Sequence, residues 1–268
     1  MPIDLVLVRH GQSEGNVAIH MSKRGDFSAF TEEFMCRHSS VWRLTNRGIE
    51  QAQITGAWLQ KNMNVDFDRY YTSDYLRAKE TAALLGLPNA KWYTDFMLRE
   101  RDQGESGDLT PADRLEKFKK KIESQEVQPF YRRPSNGESM ADTCMRIDST
   151  IQTLHRECAN KRVIIVSHGE VMWSFRVLLE RMSQEQWLGF QNSNDPCDRI
   201  NNGQVLHYTR CNPETKEIGP YLSWMRSICP SKQEWSRPDW VQITHDTFTD
   251  QDLLLDIQKY PRICNLEY

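Results

Sequence analysis

Three things are in short supply in this chain: long apolar runs, paired cysteines and an excess of one charge. No apolar stretch approaches the roughly 18 residues that a membrane-spanning helix needs, so no membrane span is expected. The seven cysteines, at positions 36, 144, 158, 197, 211, 229 and 264, are odd in number and scattered. They include no C-x-x-C pair, which excludes the usual signatures of zinc sites and thioredoxin-type redox motifs. Free thiols in a reducing compartment are the simplest account, and they place the chain in the cytoplasm. The opening Met1-Pro2-Ile3-Asp4-Leu5-Val6 lacks the basic start and apolar core of an export signal, which points the same way. Lysine and arginine number 34 against 37 acidic residues, a net charge of −3. No global field therefore favours nucleic acid or an anionic membrane, and any anion site has to be local.

What is present suits a soluble globular protein with a sizeable core: 268 residues, 38% hydrophobic and 26% charged. Ile3 to Val8 reads as a strand buried on both faces. Ser13 to Asn16 starts a helix, and Asn46 can cap another whose apolar positions Ile49, Ala52, Ala57 and Leu59 recur at roughly helical spacing. Between them, residues 22–43 read as an irregular inserted loop and candidate lid. Phe67 to Thr72 reads as a strand, and Tyr75 to Leu85 as a helix stopped by Gly86 and Pro88. Thr110 and Pro111 open a helix over Arg114 to Glu123, and Glu138 to Cys158 is a longer one. Arg162 to Val166 is a buried strand, Gly169 to Met182 a helix, and Gln204 to Thr209 an edge strand. Strands alternating with helices predict a single three-layer α/β domain, its central sheet mainly parallel and flanked by helices, with a ligand site beyond the strand ends. The domain spans 1–210, and the proline-bearing segment 211–268 reads as an irregular extension packed on it.

Two of the strands deliver a histidine followed by glycine to their C-terminal ends: Arg9-His10-Gly11 and Ser167-His168-Gly169. A glycine after a strand lets backbone approach a ligand closely, and a helix N-terminus just beyond offers free N–H groups to an anion. Arg9 adds a planar fork that grips two phosphate oxygens, and a neutral His10 can act as a nucleophile. Alone, an Arg-His pair is more often structural. A third segment, Ser73 to Ala82, passes from a strand into a helix carrying Arg77 in its first turn.

These three motifs, in this order, resemble the histidine phosphatase superfamily, which includes cofactor-dependent phosphoglycerate mutases and the bisphosphatase domain acting on fructose 2,6-bisphosphate. Leu44 to Ala52 and Gly137-Glu138-Ser139 match as well, so the resemblance covers most of residues 3–180. It implies a phosphoglycerate mutase-like fold in which His10 becomes phosphohistidine, with Arg9, Arg77 and His168 around the transferred phosphoryl group. Ser13, Asn16 and Gly169 complete the implied phosphate site. Leu98 to Gly104 matches the stretch where the family places its proton donor, which selects Glu100, with Asp102 as the alternative. A solvated ion-pair cluster with Arg99 and Arg101 is the competing reading of Glu100. Phe130 to Pro134 resembles a substrate-holding Tyr-Arg-x-Pro stretch of the bisphosphatase branch, making Arg132 a candidate specificity contact.

Arg24, Arg37, His38 and Arg43 in the inserted loop form either an anion-binding lid or a solvated face, and the lysines between 117 and 121 read as the wet side of a helix. The resemblance implies no metal or other cofactor, and its substrates are small phosphorylated metabolites, with a phosphoprotein as the alternative. Glycolytic mutases of the family carry a long insertion between the acid and Gly-Glu-Ser. Here Glu100 and Gly137 are close in sequence, which favours a phosphatase over a mutase. A catalytically weak scaffold is the reading from another class, opposed by the intact set Arg9, His10, Arg77, Glu100 and His168.

Overall fold

A computed structural model describes residues 1–104, 129–260, 262 and 264. Strand β1 (Asp4–Arg9) is apolar at four successive positions because both of its faces are covered: Leu5 and Leu7 join the core on one side, Val6 and Val8 the core on the other. The other strands are β2 (Arg69–Ser73), β3 (Trp92–Asp95), β4 (Arg162–Ser167), β5 (Val205–Thr209), β6 (Trp224–Ile228) and β7 (Arg237–Gln242). The helices in chain order are α1 (Glu14–Ser22), α2 (Glu32–Cys36), α3 (Asn46–Asn62), α4 (Leu76–Leu84), α5 (Met140–Glu157), α6 (Gly169–Leu179), α7 (Gln184–Asn192) and α8 (Asp250–Ile257). None of the described helices is long and apolar enough to cross a membrane.

The seven strands form one sheet in the order β3-β2-β4-β1-β5-β6-β7. β1, β2, β3 and β4 run parallel, and β5, β6 and β7 add antiparallel pairs beyond β1. Leu59, Ala78 and Ala82 of α3 and α4 pack on Val6, Val8, Ile164 and Val166. Met140 and Ile147 of α5 and Met172 and Phe175 of α6 pack on Leu5, Leu7, Val163 and Ile165. The result is the expected three-layer α/β domain.

Several local expectations need correction. The strand at 205–209 is internal, because β6 and β7 pair outside it, so the segment after 210 extends the sheet instead of being irregular throughout. Its strand signal was masked because β7 is an edge strand, largely exposed, charged and proline-bearing, and edges tolerate a residue without an N–H. The inserted segment 22–43 contains α2 and a 3-10 turn at Ser39–Val41. Thr45, not Asn46, caps α3, its hydroxyl accepting from the Gly48 N–H at 3.1 Å. The short strand β3 and helices α7 and α8 were not anticipated. The helix expected after Thr110, with its lysines, lies outside the described residues.

Candidate active site

Strand register assembles the site. Arg9 pairs with Ser167 across parallel β1 and β4, so the next residue of each strand, His10 and His168, leaves the sheet beside its counterpart. Their ring centroids are 5.1 Å apart, edge to face. β2 flanks β4 on the other side and ends in Ser73, whose Oγ lies 2.8 Å from His168 Nε2. The backbone beyond His10 needs glycine: a Cβ on Gly11 would stand 2.2 Å from the Gly48 carbonyl oxygen, where α3 crosses the loop.

The partners of His10 settle its tautomer. Nδ1 lies 2.6 Å from the Gly11 carbonyl, which can only accept, so Nδ1 carries the proton. Nε2 accepts from Arg77 Nε at 3.2 Å, so its lone pair faces the guanidinium. Burial, then the charges of Arg77 and Arg9, hold the His10 pKa well below the ordinary imidazole value despite the Gly11 hydrogen bond. His168 is lowered in the same way, by burial and then by Arg77, His10 and Arg9. The pocket therefore contains a neutral imidazole with an unprotonated Nε2, ringed by fixed positive charge. That is what a nucleophile needs when its target is an anion.

Arg9 and Arg77 are both held by backbone. Arg9 Nη1 donates to the Ile200 carbonyl at 2.6 Å, and its buried Nε has no partner among the described residues. Arg77 Nη1 donates to the Ser39 carbonyl at 2.6 Å, and burial lowers its pKa to about 10. Thr81, one turn along α4, accepts from the Gly11 N–H at 3.1 Å and donates to the Arg77 carbonyl at 2.7 Å, tying the two motifs together.

Ser13 and Asn16 cap α1 reciprocally, the Ser13 N–H donating to Asn16 Oδ1 at 3.1 Å. Asn16 Oδ1 also accepts from Asn202 Nδ2, which reaches the His10 carbonyl at 3.1 Å. Gly169 opens α6, and a Cβ there would lie 3.4 Å from Arg9 Nε. Glu100 is half-buried; its Oε1 accepts from the Arg101 N–H at 2.9 Å, and its charge is felt by both Arg9 and Arg77. Asp102 is exposed and accepts from the Gly104 N–H at 2.7 Å in its own turn. Arg132 is exposed and makes no hydrogen bond or ion pair with the described residues, whereas Arg133 binds Asp142 through Nε at 2.7 Å. Arg37 pairs with Glu33 and Arg43 with Glu80, so these two cations of the inserted segment are already engaged. The segment reaches the site through the Ser39 carbonyl instead.

Sequence reasoning missed the support under Glu100. Glu138 accepts from Arg146 Nε at 2.8 Å and Nη2 at 3.0 Å, from Arg99 Nη2 at 2.8 Å and from the Asp102 N–H at 3.0 Å. Burial pushes the Glu138 carboxyl up, but Arg146, the Asp102 N–H and Arg99 together bring it below the usual value. Arg146 was findable as a charge on the apolar face of α5, one residue before the buried Ile147. Asn202 and Ser39 had no such signal, since loop residues carry no periodicity.

Residues 5–201 match the family model of the histidine phosphatase superfamily, branch 1. A 2,3-bisphosphoglycerate-dependent phosphoglycerate mutase of Sinorhizobium fredii is 32% identical over 198 residues, 69% of this chain and 82% of that protein. One from Parvibaculum lavamentivorans is 33% identical over 202 residues, covering 70% and 85%. Among solved structures, the alpha-ribazole phosphatase of Shigella flexneri superposes with a TM-score of 0.60 at 21% identity, covering 90% of this chain and 96% of that one. A mycobacterial glucosyl-3-phosphoglycerate phosphatase superposes with a TM-score of 0.59 at 19% identity, covering 89% and 96%. The chain belongs to branch 1 of the histidine phosphatase superfamily, a family of phosphoryl-transfer enzymes.

Proposed function

We propose that the protein is a phosphatase hydrolysing small phosphomonoesters through a phosphohistidine on His10. The observation that carries this reading is His10 itself: buried, neutral, its proton fixed on Nδ1, and its Nε2 lone pair set against Arg77. On substrate arrival Arg77 exchanges that nitrogen for phosphoryl oxygens, and Nε2 attacks phosphorus as the P–O ester bond breaks. Arg9, Arg77, His168 and the N–H groups at the start of α6 stabilise charge spread over the equatorial oxygens. Ser13 and Asn16 are assigned to the same phosphate site, with Asn202 linking Asn16 to the His10 carbonyl. Glu100 gives its proton to the leaving oxygen, a contribution typically of about 10²–10⁴ in rate. In the second half the Glu100 carboxylate takes a proton from water as that water attacks phosphorus, the P–N bond breaks, and neutral His10 and inorganic phosphate result.

Delivery to water, as opposed to a second substrate hydroxyl, is supported by the short sequence separation between Glu100 and Gly-Glu-Ser. The Glu138 N–H donates to the Asp102 carbonyl at 2.8 Å, which ties Gly-Glu-Ser directly to the loop that carries Glu100. Mutase-type transfer is the second reading, favoured by the curated relatives named as phosphoglycerate mutases. We assign the enzyme to the cytoplasm on its free cysteines, with small metabolites as substrates, and give Arg132 a role only on substrates long enough to reach it.

The test is transfer of labelled phosphate from phosphomonoesters to an acid-labile, base-stable adduct. Wild type should label and His10→Ala should not, while keeping its circular dichroism. Substantial turnover by His10→Ala refutes the nucleophile assignment. Running a phosphomonoester panel with and without a bisphosphate primer separates release of phosphate from isomerisation.

A further inference from the structure

Two residues beyond His168, in the first turn of α6, stands a carboxyl that the mechanism above does not use. The Glu170 side chain is 30% exposed, but its Oε2 is shut off from solvent and has no hydrogen-bond partner among the described residues. Its Oε1 lies 4.0 Å from Arg101 Nη2, beyond hydrogen-bond range. The groups that face it are Arg9 at the end of β1, Glu100 and Arg101 from the acid-bearing loop, and the Cys144 thiol of α5. Burial first, then the charge of Glu100, holds its pKa above the usual carboxyl value against the pull of Arg101 and Arg9.

A general acid has to stand beside the leaving oxygen, so whatever is near Glu100 is near the first atoms of the leaving group. We propose that Glu170 is a specificity-determining residue that favours phosphomonoesters whose leaving group is uncharged or cationic next to the ester oxygen and disfavours those bearing a carboxylate there. The inference rests on phosphoryl transfer to His10, and it works by two routes. The Glu170 carboxylate repels a substrate carboxylate directly. It also offsets Arg101, a cation of the leaving-group side that would otherwise attract one. An unpartnered Oε2 meanwhile accepts a hydroxyl or ammonium donor, and leaving such a buried oxygen unsatisfied is unfavourable. The preference runs opposite to that required of a phosphoglycerate mutase, whose substrate carries a carboxylate beside the phosphorylated carbons.

Glycerol 2-phosphate and 2-phosphoglycerate share a carbon chain with the phosphate on its middle carbon, and differ in a substituent of that carbon, CH₂OH against COO⁻. Labelling rates of His10 from each donor, with phosphate release followed in parallel, form the test. Wild type should label faster from glycerol 2-phosphate. Glu170→Gln should shift the ratio of the two rates about tenfold toward 2-phosphoglycerate, the order expected of one charge in a partly shielded pocket. Glu170→Asp should keep the wild-type ratio. The wild-type preference should also grow as pH rises and Glu170 ionises, and should be flat in Glu170→Gln. An unchanged ratio in Glu170→Gln, or an equal loss on both donors, overturns the proposal and leaves Glu170 as an ion-pair partner of Arg101. Label that forms but is not released to water refutes hydrolysis alone, since the ratio is still read. No label from either donor refutes both.

Discussion

Glu138→Ala removes one carboxylate on which three donor groups converge just behind the acid-bearing loop. The Arg146 side chain is 7% exposed and Glu138 14%, so their pair is shielded from water. Deleting one partner of a buried pair costs about 3–5 kcal/mol, chiefly because the other charge stays buried and unpaired. Arg99 is 31% exposed, rehydrates when released, and adds at most about 1 kcal/mol. Against a stability of about 5–15 kcal/mol for a typical domain, the variant should fold but unfold at markedly lower urea, with an unchanged denaturant slope. Glu138→Leu combined with Arg146→Met removes both charges and should recover most of the loss. Activity should not follow: without Glu138 the Asp102 N–H and Arg99 are released, Glu100 loses its fixed position, and alkyl phosphates should remain slow relative to aryl phosphates. A loss under about 1 kcal/mol in Glu138→Ala, or a double variant no more stable than it, refutes the view that the pair is held as a buried unit. Normal alkyl turnover in the stable double variant refutes its link to Glu100.

Glu100→Gln should slow alkyl phosphates by about 10²–10⁴ and activated aryl phosphates far less, because a good leaving group needs no proton; equal losses on both rule out the acid role. Ser73→Ala leaves His168 Nε2 without its hydroxyl partner, and at about 1–3 kcal/mol for an unsatisfied buried polar atom should lower kcat roughly 5–150-fold with KM little changed; unaltered kcat removes Ser73 from the site. His10 is held neutral in the folded state, so below its unfolded pKa of about 6.5 the unfolded chain binds the extra proton and stability falls with pH. Wild type should therefore lose about 1 kcal/mol per pH unit more than His10→Gln between about pH 6.5 and 5, steepening toward about 1.4 as pH falls, and parallel stability profiles contradict a lowered His10 pKa.

Much of the catalytic centre was legible in the chain because its parts sit where strands end. A strand buried on both faces reads as a continuous apolar run, and the residues after it must then emerge at the end of the sheet; this places Arg9-His10-Gly11 and Ser167-His168-Gly169 there, and the resemblance to the family gives them their proposed roles. Arg77 was legible through the resemblance of Ser73 to Ala82, since an arginine in the first turn of a helix is by itself ordinarily a surface residue. The edge strands were not, since β3 and β7 are short or polar and pair on one side only. Neither was the true position of β5, because edge or interior status depends on what the tail does.

Sequence alone determined the layer architecture and the two histidines at strand ends with arginines nearby, since periodicity and residue chemistry are properties of short segments; the resemblance to the family is what singled out His10 as the proposed nucleophile. Tertiary structure alone decided the tautomer of His10, the Glu138–Arg146 pair beside the loop of Glu100 and the unpartnered Oε2 of Glu170. These depend on which groups from distant segments come within a few ångströms and exclude water. Register supplies that proximity and packing supplies the low dielectric, and neither can be read from a linear pattern.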